Sequence, residues 1–214
     1  DDDDDDDDDD EKDGGYASTG GNVYIIKNFE FGRGNWTWTK LPEHLQNVGI
    51  SKIVTDPSDG GRTIYAIGKG CIGRSYDQGD TWTECWEAPG EGVSGLIIKN
   101  SNTMIALRPG DVPVRTQDGG ASWQPMTSLS GIAKSVGTFA WSWSGKTLVM
   151  VGHGGDASAG HPHTMYVWKS TDDGDTWTDE TADLVTMNAG FAQWYEDTVF
   201  LGSAGQGILS KKVE

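Results

Sequence analysis

One eight-residue motif occurs three times in this sequence and constrains the fold more than any other feature. Each copy has a hydroxyl residue, an Asp, a Gly, a second hydroxyl residue and a Trp at the same spacing. The Asp can accept hydrogen bonds from backbone N–H groups of its own turn, Gly permits positive φ, and the Trp covers apolar surface beneath the turn. The motif is therefore a folding device. The copies, called boxes below, are Ser75-x-Asp77-x-Gly79-x-Thr81-Trp82, Thr116-x-Asp118-x-Gly120-x-Ser122-Trp123 and Ser170-x-Asp172-x-Gly174-x-Thr176-Trp177.

Short apolar segments recur in phase with the boxes. They end at turn residues, a pattern typical of buried strands. Together with the boxes they define a unit of about 40 residues with four strands, A to D, which is the size of one propeller blade. The third unit carries an insertion at 152–163. The predicted A strands are 49–54, 92–97, 131–136 and, less regularly, 188–194, and the predicted B strands are 63–68, 103–108, 147–152 and 198–203.

The two ends of the chain hold incomplete units. Residues 23–26 and 36–39 have the pattern of strands C and D around a degenerate box, whereas the last unit stops after strands A to C. We therefore predict an all-β fold, a small β-propeller of about four four-stranded blades, closed by N-terminal strands that complete the C-terminal blade. The alternatives are an open arc that pairs with another chain and a piece of a longer protein.

The net charge of −17 is concentrated in residues 1–10, which are all Asp. Ten adjacent carboxylates repel one another and can bury nothing. We therefore predict an acidic and Gly-rich disordered tail at 1–21 and a propeller domain at 22–214. The five Arg are scattered, which argues against a nucleic-acid partner, and no apolar stretch approaches the roughly 20 residues of a membrane span.

The two cysteines, Cys71 and Cys85, are placed symmetrically about position 78, the tip of the first box hairpin. Antiparallel pairing would set them opposite each other, with Cβ atoms about 4.5 to 5.5 Å apart, near enough for a bond. We predict this disulfide, which implies an oxidising compartment. Asn35 begins a glycosylation sequon, so we expect a secreted or extracellular glycoprotein.

The boxes, and the segment Asp56-Pro57-Ser58-Asp59-Gly60-Gly61-Arg62-Thr63-Ile64-Tyr65-Ala66 before the first of them, resemble the Asp-box, or bacterial neuraminidase repeat, superfamily. The resemblance covers residues 22–214. Its members include sialidases, xyloglucan-degrading glycosidases, sortilin-like receptors and photosystem II assembly factors. The resemblance implies a propeller and leaves the activity open, because one fold hosts many functions.

The sequence departs from the sialidase pattern. Sialidases resemble one another in an Arg triad, a Tyr and Glu nucleophilic pair and an early Arg-Ile-Pro motif. That motif is absent, and Tyr195 and Glu196 are adjacent, so alternation along a strand would direct them to opposite faces. We reject a sialidase. A two-carboxylate glycosidase stays open, because the separation of carboxylates in space cannot be read from a sequence.

Propeller geometry indicates where a ligand would bind. The B–C and D–A loops emerge at one end of a propeller, opposite the box turns, and loops carry most binding residues. The B–C loops are 68–71, 108–113, 152–163 and 202–207. The candidate ligand-binding residues on them are Lys69, Arg108, Asp111, His153, Asp156, His161 and His163.

Two further patterns suggest ligands. His161 and His163 would project to one side of an extended segment, which suits Zn²⁺ or Cu²⁺ with Asp156 as a third ligand, although a Gly-rich loop of this kind is also typical of a solvated segment. We predict that no cofactor is required, and a divalent metal at these residues is the one candidate. Trp141 and Trp143 share a strand face, as do Trp36 and Trp38. Such pairs favour carbohydrate binding when exposed and blade packing when buried.

We predict a non-catalytic, extracellular recognition or structural propeller that binds a glycan or a protein. One version of this hypothesis places the chain in a homo-oligomer or filament. The first alternative is a glycoside hydrolase-like propeller module. The second is an intracellular assembly factor resembling the photosystem II assembly propellers, which a reduced Cys71 and Cys85 pair would indicate.

Overall fold

The computed structural model describes residues 15–19, 22–27, 37–46, 48–68, 70–85, 92–108, 110–130, 132, 135–153, 165–181, 189–203 and 207–213. Their regular secondary structure is almost entirely β-strand. Helix α1 (Glu43–Gln46) and two 3-10 turns, at Pro57–Asp59 and Thr127–Leu129, are the helical elements among them. None of these described helices is long and apolar enough to cross a membrane.

The described strands form five antiparallel sheets of consecutive strands. The first sheet holds β1 (Gly15–Thr19), β2 (Asn22–Lys27) and β3 (Thr37–Lys40), and the second holds β4 (Lys52–Thr55), β5 (Ile64–Gly68) and β6 (Cys71–Ser75). The third contains β7 (Gly95–Ile98), β8 (Met104–Leu107), β9 (Val114–Thr116) and β10 (Gln124–Pro125). The fourth contains β11 (Ser135–Trp141), β12 (Leu148–His153), β13 (Met165–Ser170) and β14 (Thr178–Asp179). The fifth contains β15 (Ala189–Tyr195), β16 (Thr198–Ser203) and β17 (Gly207–Lys212).

The central strands β5 and β8 lack charged side chains and are largely buried because both faces of their sheets are covered. In β8, Met104 packs in a cluster with Leu96 and residues of the second sheet, whereas its neighbour Ile105 packs with Phe139 of the fourth. Side chains alternate between the faces of a sheet, so a strand covered on both faces needs an unbroken apolar run. The B strands could be predicted from the sequence because such an apolar run is typical of a strand that is covered on both faces.

Four apolar clusters join each sheet to the next. The first cluster places Val23 and Ile25 of the first sheet against Ala66 and Cys71 of the second. The last cluster places Val149 and Val151 of the fourth sheet against residues of the fifth, including Trp194 and Leu201. The same arrangement therefore repeats from the first sheet to the fifth.

The first strands of sheets two to five lie side by side. Strand β4 contacts β7, β7 contacts β11, and β11 contacts β15. Sheets that meet along their first strands and pack face to face have the arrangement of propeller blades around an axis.

Two predictions about the N-terminus differ from the described strands. Residues Gly15–Thr19 form strand β1, in register with β2, so the predicted disordered tail extends too far. The reason is that the acidic run has ended by then, and Tyr16 and Thr19 belong to residue types that are enriched in strands. With β1 added, the N-terminal strands form a separate sheet. Within the described residues they do not pair with β15–β17, and the sheets number five where about four blades were expected.

The fifth sheet has one uncovered face. Ile208 is 67% exposed, and Phe191 and Tyr195 are also exposed. The Phe191 ring lies over Gly202, where an added Cβ would come within 2.0 Å of the ring. On the first sheet Trp38 is 50% exposed. Apolar side chains therefore remain in contact with solvent at both ends of the row of sheets.

Candidate functional site

Each box closes a hairpin with the same four hydrogen bonds. In the first box the Ser75 hydroxyl donates to Asp77 Oδ1 at 2.8 Å and accepts from the Gly79 N–H at 2.7 Å. Asp77 also accepts from the Thr81 N–H at 2.8 Å and from the Thr81 hydroxyl at 2.6 Å. The boxes of Asp118 and Asp172 repeat this pattern. The predicted turn chemistry is thus present in every box.

These hydrogen bonds favour the ionised form of the three box carboxylates. The hydroxyl of Thr81 is the main cause that lowers the pKa of Asp77 from 3.8 to about 2. Ser122 and Thr176 likewise lower the pKa values of Asp118 and Asp172 to about 2. An acceptor that receives two donors is stabilised as the anion.

A basic residue before each box ties its sheet to the next one. Arg74 donates through Nη2 to the carbonyl oxygen of Gly119 at 2.9 Å, and Arg115 donates through Nη1 to the carbonyl oxygen of Asp173. Gly119 and Asp173 occupy the same position in successive boxes, and both have positive φ. Lys169, before the third box, donates to the Val213 carbonyl at 3.3 Å. The basic residue before every box is visible in the sequence. The carbonyl groups that these residues bind could not be predicted, because they lie far away in the chain.

The predicted disulfide is confirmed. Cys71 and Cys85 are bonded, with their Cα atoms 5.2 Å apart. Cys71 is buried in the cluster between the first two sheets, with Leu41 and Leu45 as neighbours. The bond therefore fixes the end of the first box hairpin to this cluster.

The loop end that we predicted to bind ligands is described only in part. Arg108 and Asp111 form an ion pair of 3.0 Å, and Arg108 Nη2 donates to the Val112 carbonyl at 2.9 Å, so this pair braces its own loop. His153 ends β12, and its side chain lies outside the description. Lys69, Asp156, His161, His163 and Asn35 lie outside the described residues. Among the described residues no group of three His, Cys, Asp or Glu side chains is placed to hold a metal.

A cleft of about 730 Å³, called the axial cleft, opens at the opposite end. Successive strands of an antiparallel sheet run in opposite directions, so the turn between strands A and B emerges beside the box turn. Such turns from the second, third and fourth sheets line the cleft together with β15 of the fifth. The lining residues are Pro57, Ser58, Ile98, Lys99, Asn100, Phe139, Ala140, Trp141, Ser142, Trp143, Ser144, Gly145, Ala192, Gln193 and Trp194.

Aromatic side chains dominate the rim of the axial cleft. Trp143 is 74% exposed and meets Tyr195 edge to face, with ring centroids 6.0 Å apart. Trp141 is half-buried and has the Lys99 ammonium 5.0 Å from its ring centroid. Trp194 is buried and donates to the Ala140 carbonyl at 3.0 Å. Of the predicted Trp pair, one ring therefore packs between sheets and the other faces solvent.

A second cleft, of about 810 Å³, lies beside the third box and is called the box cleft. It shares Lys99, Ser144 and Gly145 with the axial cleft, so the two clefts are adjacent. Its other lining residues are Gln117, Lys146, Thr147, Thr171, Asp172, Asp173 and Asp175. Sequence patterns missed both clefts, because their walls come from turns of different sheets.

The sheets, their order and their packing define a β-propeller fold, and solved structures agree. An ancestral glycoside hydrolase family 74 enzyme matches 91% of this chain and 28% of its own, with a TM-score of 0.62 and 14% identity. The Cps50 (Swd1) β-propeller domain from Myceliophthora thermophila matches 90% of this chain and 63% of its own, with a TM-score of 0.62 and 11% identity. YCF48 bound to D1 peptide matches 92% and 63%, with a TM-score of 0.59 and 16% identity.

In sequence, the chain is similar to a xyloglucanase from Paenibacillus sp, with 27% identity over 182 residues. The match covers 67% of this chain and spans 18% of the length of the xyloglucanase. No family model matches the chain. The comparisons therefore identify the fold, and the function has to be argued from the clefts.

Proposed function

We propose that this chain is a non-catalytic recognition propeller of the Asp-box superfamily that binds a glycan in the axial cleft. The exposed Trp143 ring carries this proposal. An aromatic face can pack against the C–H face of a sugar, and nearby polar groups then bind the hydroxyls. Asn100, Ser144 and Gln193 supply such groups in the same cleft.

The composition of the cleft favours binding over hydrolysis. Glycoside hydrolysis in most families uses two carboxyl groups about 5 to 9.5 Å apart. The described lining of the axial cleft includes neither Asp nor Glu. Within this described lining, a bound sugar would meet aromatic, amide and hydroxyl groups and the Lys99 ammonium, with no carboxyl group to protonate the leaving oxygen.

The compartment and the assembly state belong to the same proposal. The Cys71–Cys85 disulfide supports an oxidising, extracellular environment. The uncovered face of the fifth sheet and the exposed Trp38 of the first sheet support a homo-oligomer or filament, since exposed apolar patches mark interaction surfaces. Glycosylation of Asn35, and a divalent metal at His161 and His163 with Asp156, remain predictions that mass spectrometry and Zn²⁺ dialysis would test.

Titration calorimetry with neutral hexasaccharides and xyloglucan oligosaccharides tests the glycan proposal. We expect binding that Trp143→Ala weakens at least tenfold. Trp38→Ala is the matched control, because Trp38 is also exposed and meets a tyrosine, Tyr24, edge to face at 6.2 Å. Failure of every sugar to bind, or equal losses in both variants, would refute the proposal.

The second candidate is a glycoside hydrolase-like module, which the similarity to a xyloglucanase favours. It predicts release of reducing ends from xyloglucan, and one Asp or Glu substitution would abolish that release. The third candidate is an intracellular assembly factor with a peptide ligand, which the fold shared with peptide-bound YCF48 favours. That candidate predicts a reduced Cys71 and Cys85 pair in the protein isolated from cells under thiol-blocking conditions.

A further inference from the structure

The axial cleft and the box cleft lie next to each other and share part of their walls, and together they are called the groove. They meet at the turn between β11 and β12, where Ser144 and Gly145 line both clefts. Gly145 has a φ of +67°, and a Cβ added there would lie 3.2 Å from Lys99 Cε. A side chain at this position would therefore press against Lys99, which also lines both clefts.

The two halves of the groove differ in chemistry. The axial half presents the exposed Trp143 ring, whereas the box half is lined by polar side chains. Gln117, Lys146 and Thr171 are exposed there and come from three separate turns. A ligand that reaches both halves would meet a stacking surface first and hydrogen-bonding groups beyond it.

The carboxylates of the box half are already engaged. Asp172 is held by Thr176, and Asp173 pairs with Lys99 at 2.7 Å. Asp175 pairs with Arg115 at 2.8 Å. Positive and negative charges thus nearly balance along this wall, and a strongly charged ligand would gain little there.

We propose that the ligand is a neutral, linear oligosaccharide longer than a disaccharide, which crosses from Trp143 to Gln117, Lys146 and Thr171. This inference rests on the proposed function and adds the length and charge class of the ligand. One sugar unit stacks on Trp143, the chain passes over Ser144 and Gly145, and later units exchange hydrogen bonds with the box half. A neutral polymer fits because each unit offers hydroxyls without adding charge.

The length dependence of affinity tests the proposal. The probes are cellobiose with cellohexaose and mannobiose with mannohexaose. We expect the better hexaose to bind at least tenfold more tightly than its disaccharide. Equal affinities for the hexaose and the disaccharide would overturn the inference while leaving glycan recognition intact, and no binding of any probe would remove the proposed function as well.

A double variant tests the box half directly. Gln117→Ala with Lys146→Ala should weaken hexaose binding about tenfold, the size expected from losing a few modest hydrogen bonds, and should change disaccharide binding less than threefold. Gln124→Ala with Lys40→Ala is the matched control, since both side chains are exposed and lie outside the groove lining. A double variant that folds, by its thermal transition, and keeps full hexaose affinity would contradict the proposal.

Discussion

Arg74 of the second sheet donates a hydrogen bond to the backbone carbonyl of Gly119, which lies in the box turn of the third sheet. The same guanidinium lies 5.1 Å from the Tyr65 ring centroid. One side chain therefore links an inner strand, its own box and the next sheet.

Arg74→Ala should lower the free energy of unfolding by about 1.5 to 3 kcal/mol, the usual size for a hydrogen bond to a charged group. Urea denaturation measures this change. Arg62→Ala is the control, because Arg62 is exposed, and it should cost under about 0.5 kcal/mol. Equal costs for the two variants would mean that the link to Gly119 contributes nothing.

Acid should destabilise the boxes between about pH 4 and pH 2. The pKa of Asp77 falls from 3.8 to about 2 on folding, so the folded state binds the proton more weakly than the unfolded state. The stabilisation is complete above about pH 4 and is lost as the pH falls through the folded-state value of about 2. Denaturation midpoints measured from pH 6 to pH 2 report this loss.

Asp77→Asn should reduce the slope of that acid transition, since it removes one of the three titrating box carboxylates. Glu84→Gln is a control in the same hairpin, outside the box and exposed. A slope that the Asp77 variant leaves unchanged would show that other groups dominate acid unfolding.

Gly79→Ala should be strongly destabilising. Gly79 has a φ of +88°, and the new Cβ would lie 2.1 Å from Ile25 Cδ1 in the neighbouring sheet. We expect a loss of about 2 to 4 kcal/mol, because positive φ and overpacking act together. Gly70→Ala is the control, since its φ of +72° brings strain without a neighbour within 4 Å.

Ile25→Ala should partly rescue Gly79→Ala, because it removes the clashing methyl group. A double-mutant cycle by urea denaturation measures the coupling between the two sites. Additive losses would show that Ile25 does not limit the space around Gly79.

Reduction of the Cys71–Cys85 disulfide should lower stability by about 3 kcal/mol, the value expected for closing a loop of this length. Thermal unfolding with and without a thiol reductant gives the difference. A Cys71→Ser and Cys85→Ser double variant should melt at the lower temperature in both conditions. If the reductant also lowered the unfolding temperature of that variant, the loss of stability would not come from the disulfide.

Local chemistry explains what could be predicted from the sequence. Every hydrogen bond within the box of Asp77 joins residues at most four apart, so the pattern of Ser75, Asp77 and Thr81 specifies the turn directly. The disulfide was predictable for a related reason, since Cys71 and Cys85 lie 14 residues apart on the two sides of the first box turn, although Cys85 follows that turn outside any described strand.

Long-range assembly explains what could not be predicted. Strand β1 gains its partners only by pairing with β2, and its short polar sequence carries no apolar run to mark it. The axial cleft depends on turns from different sheets meeting at one end. Trp141 and Trp143 have the same pattern in the sequence, and packing against neighbouring sheets buries the first more than the second.

Each of the four apolar clusters joins two successive sheets, so the stability of each sheet depends mainly on its contacts with the neighbouring sheets. In an array with nearest-neighbour coupling of this kind, the terminal sheets have one neighbour each and unfold more readily than the inner sheets. The fifth sheet, with Ile208 and Phe191 open to water, has a packed neighbour on one side. Amide exchange should therefore be fastest there and slowest in β8 and β12, which are enclosed on both sides.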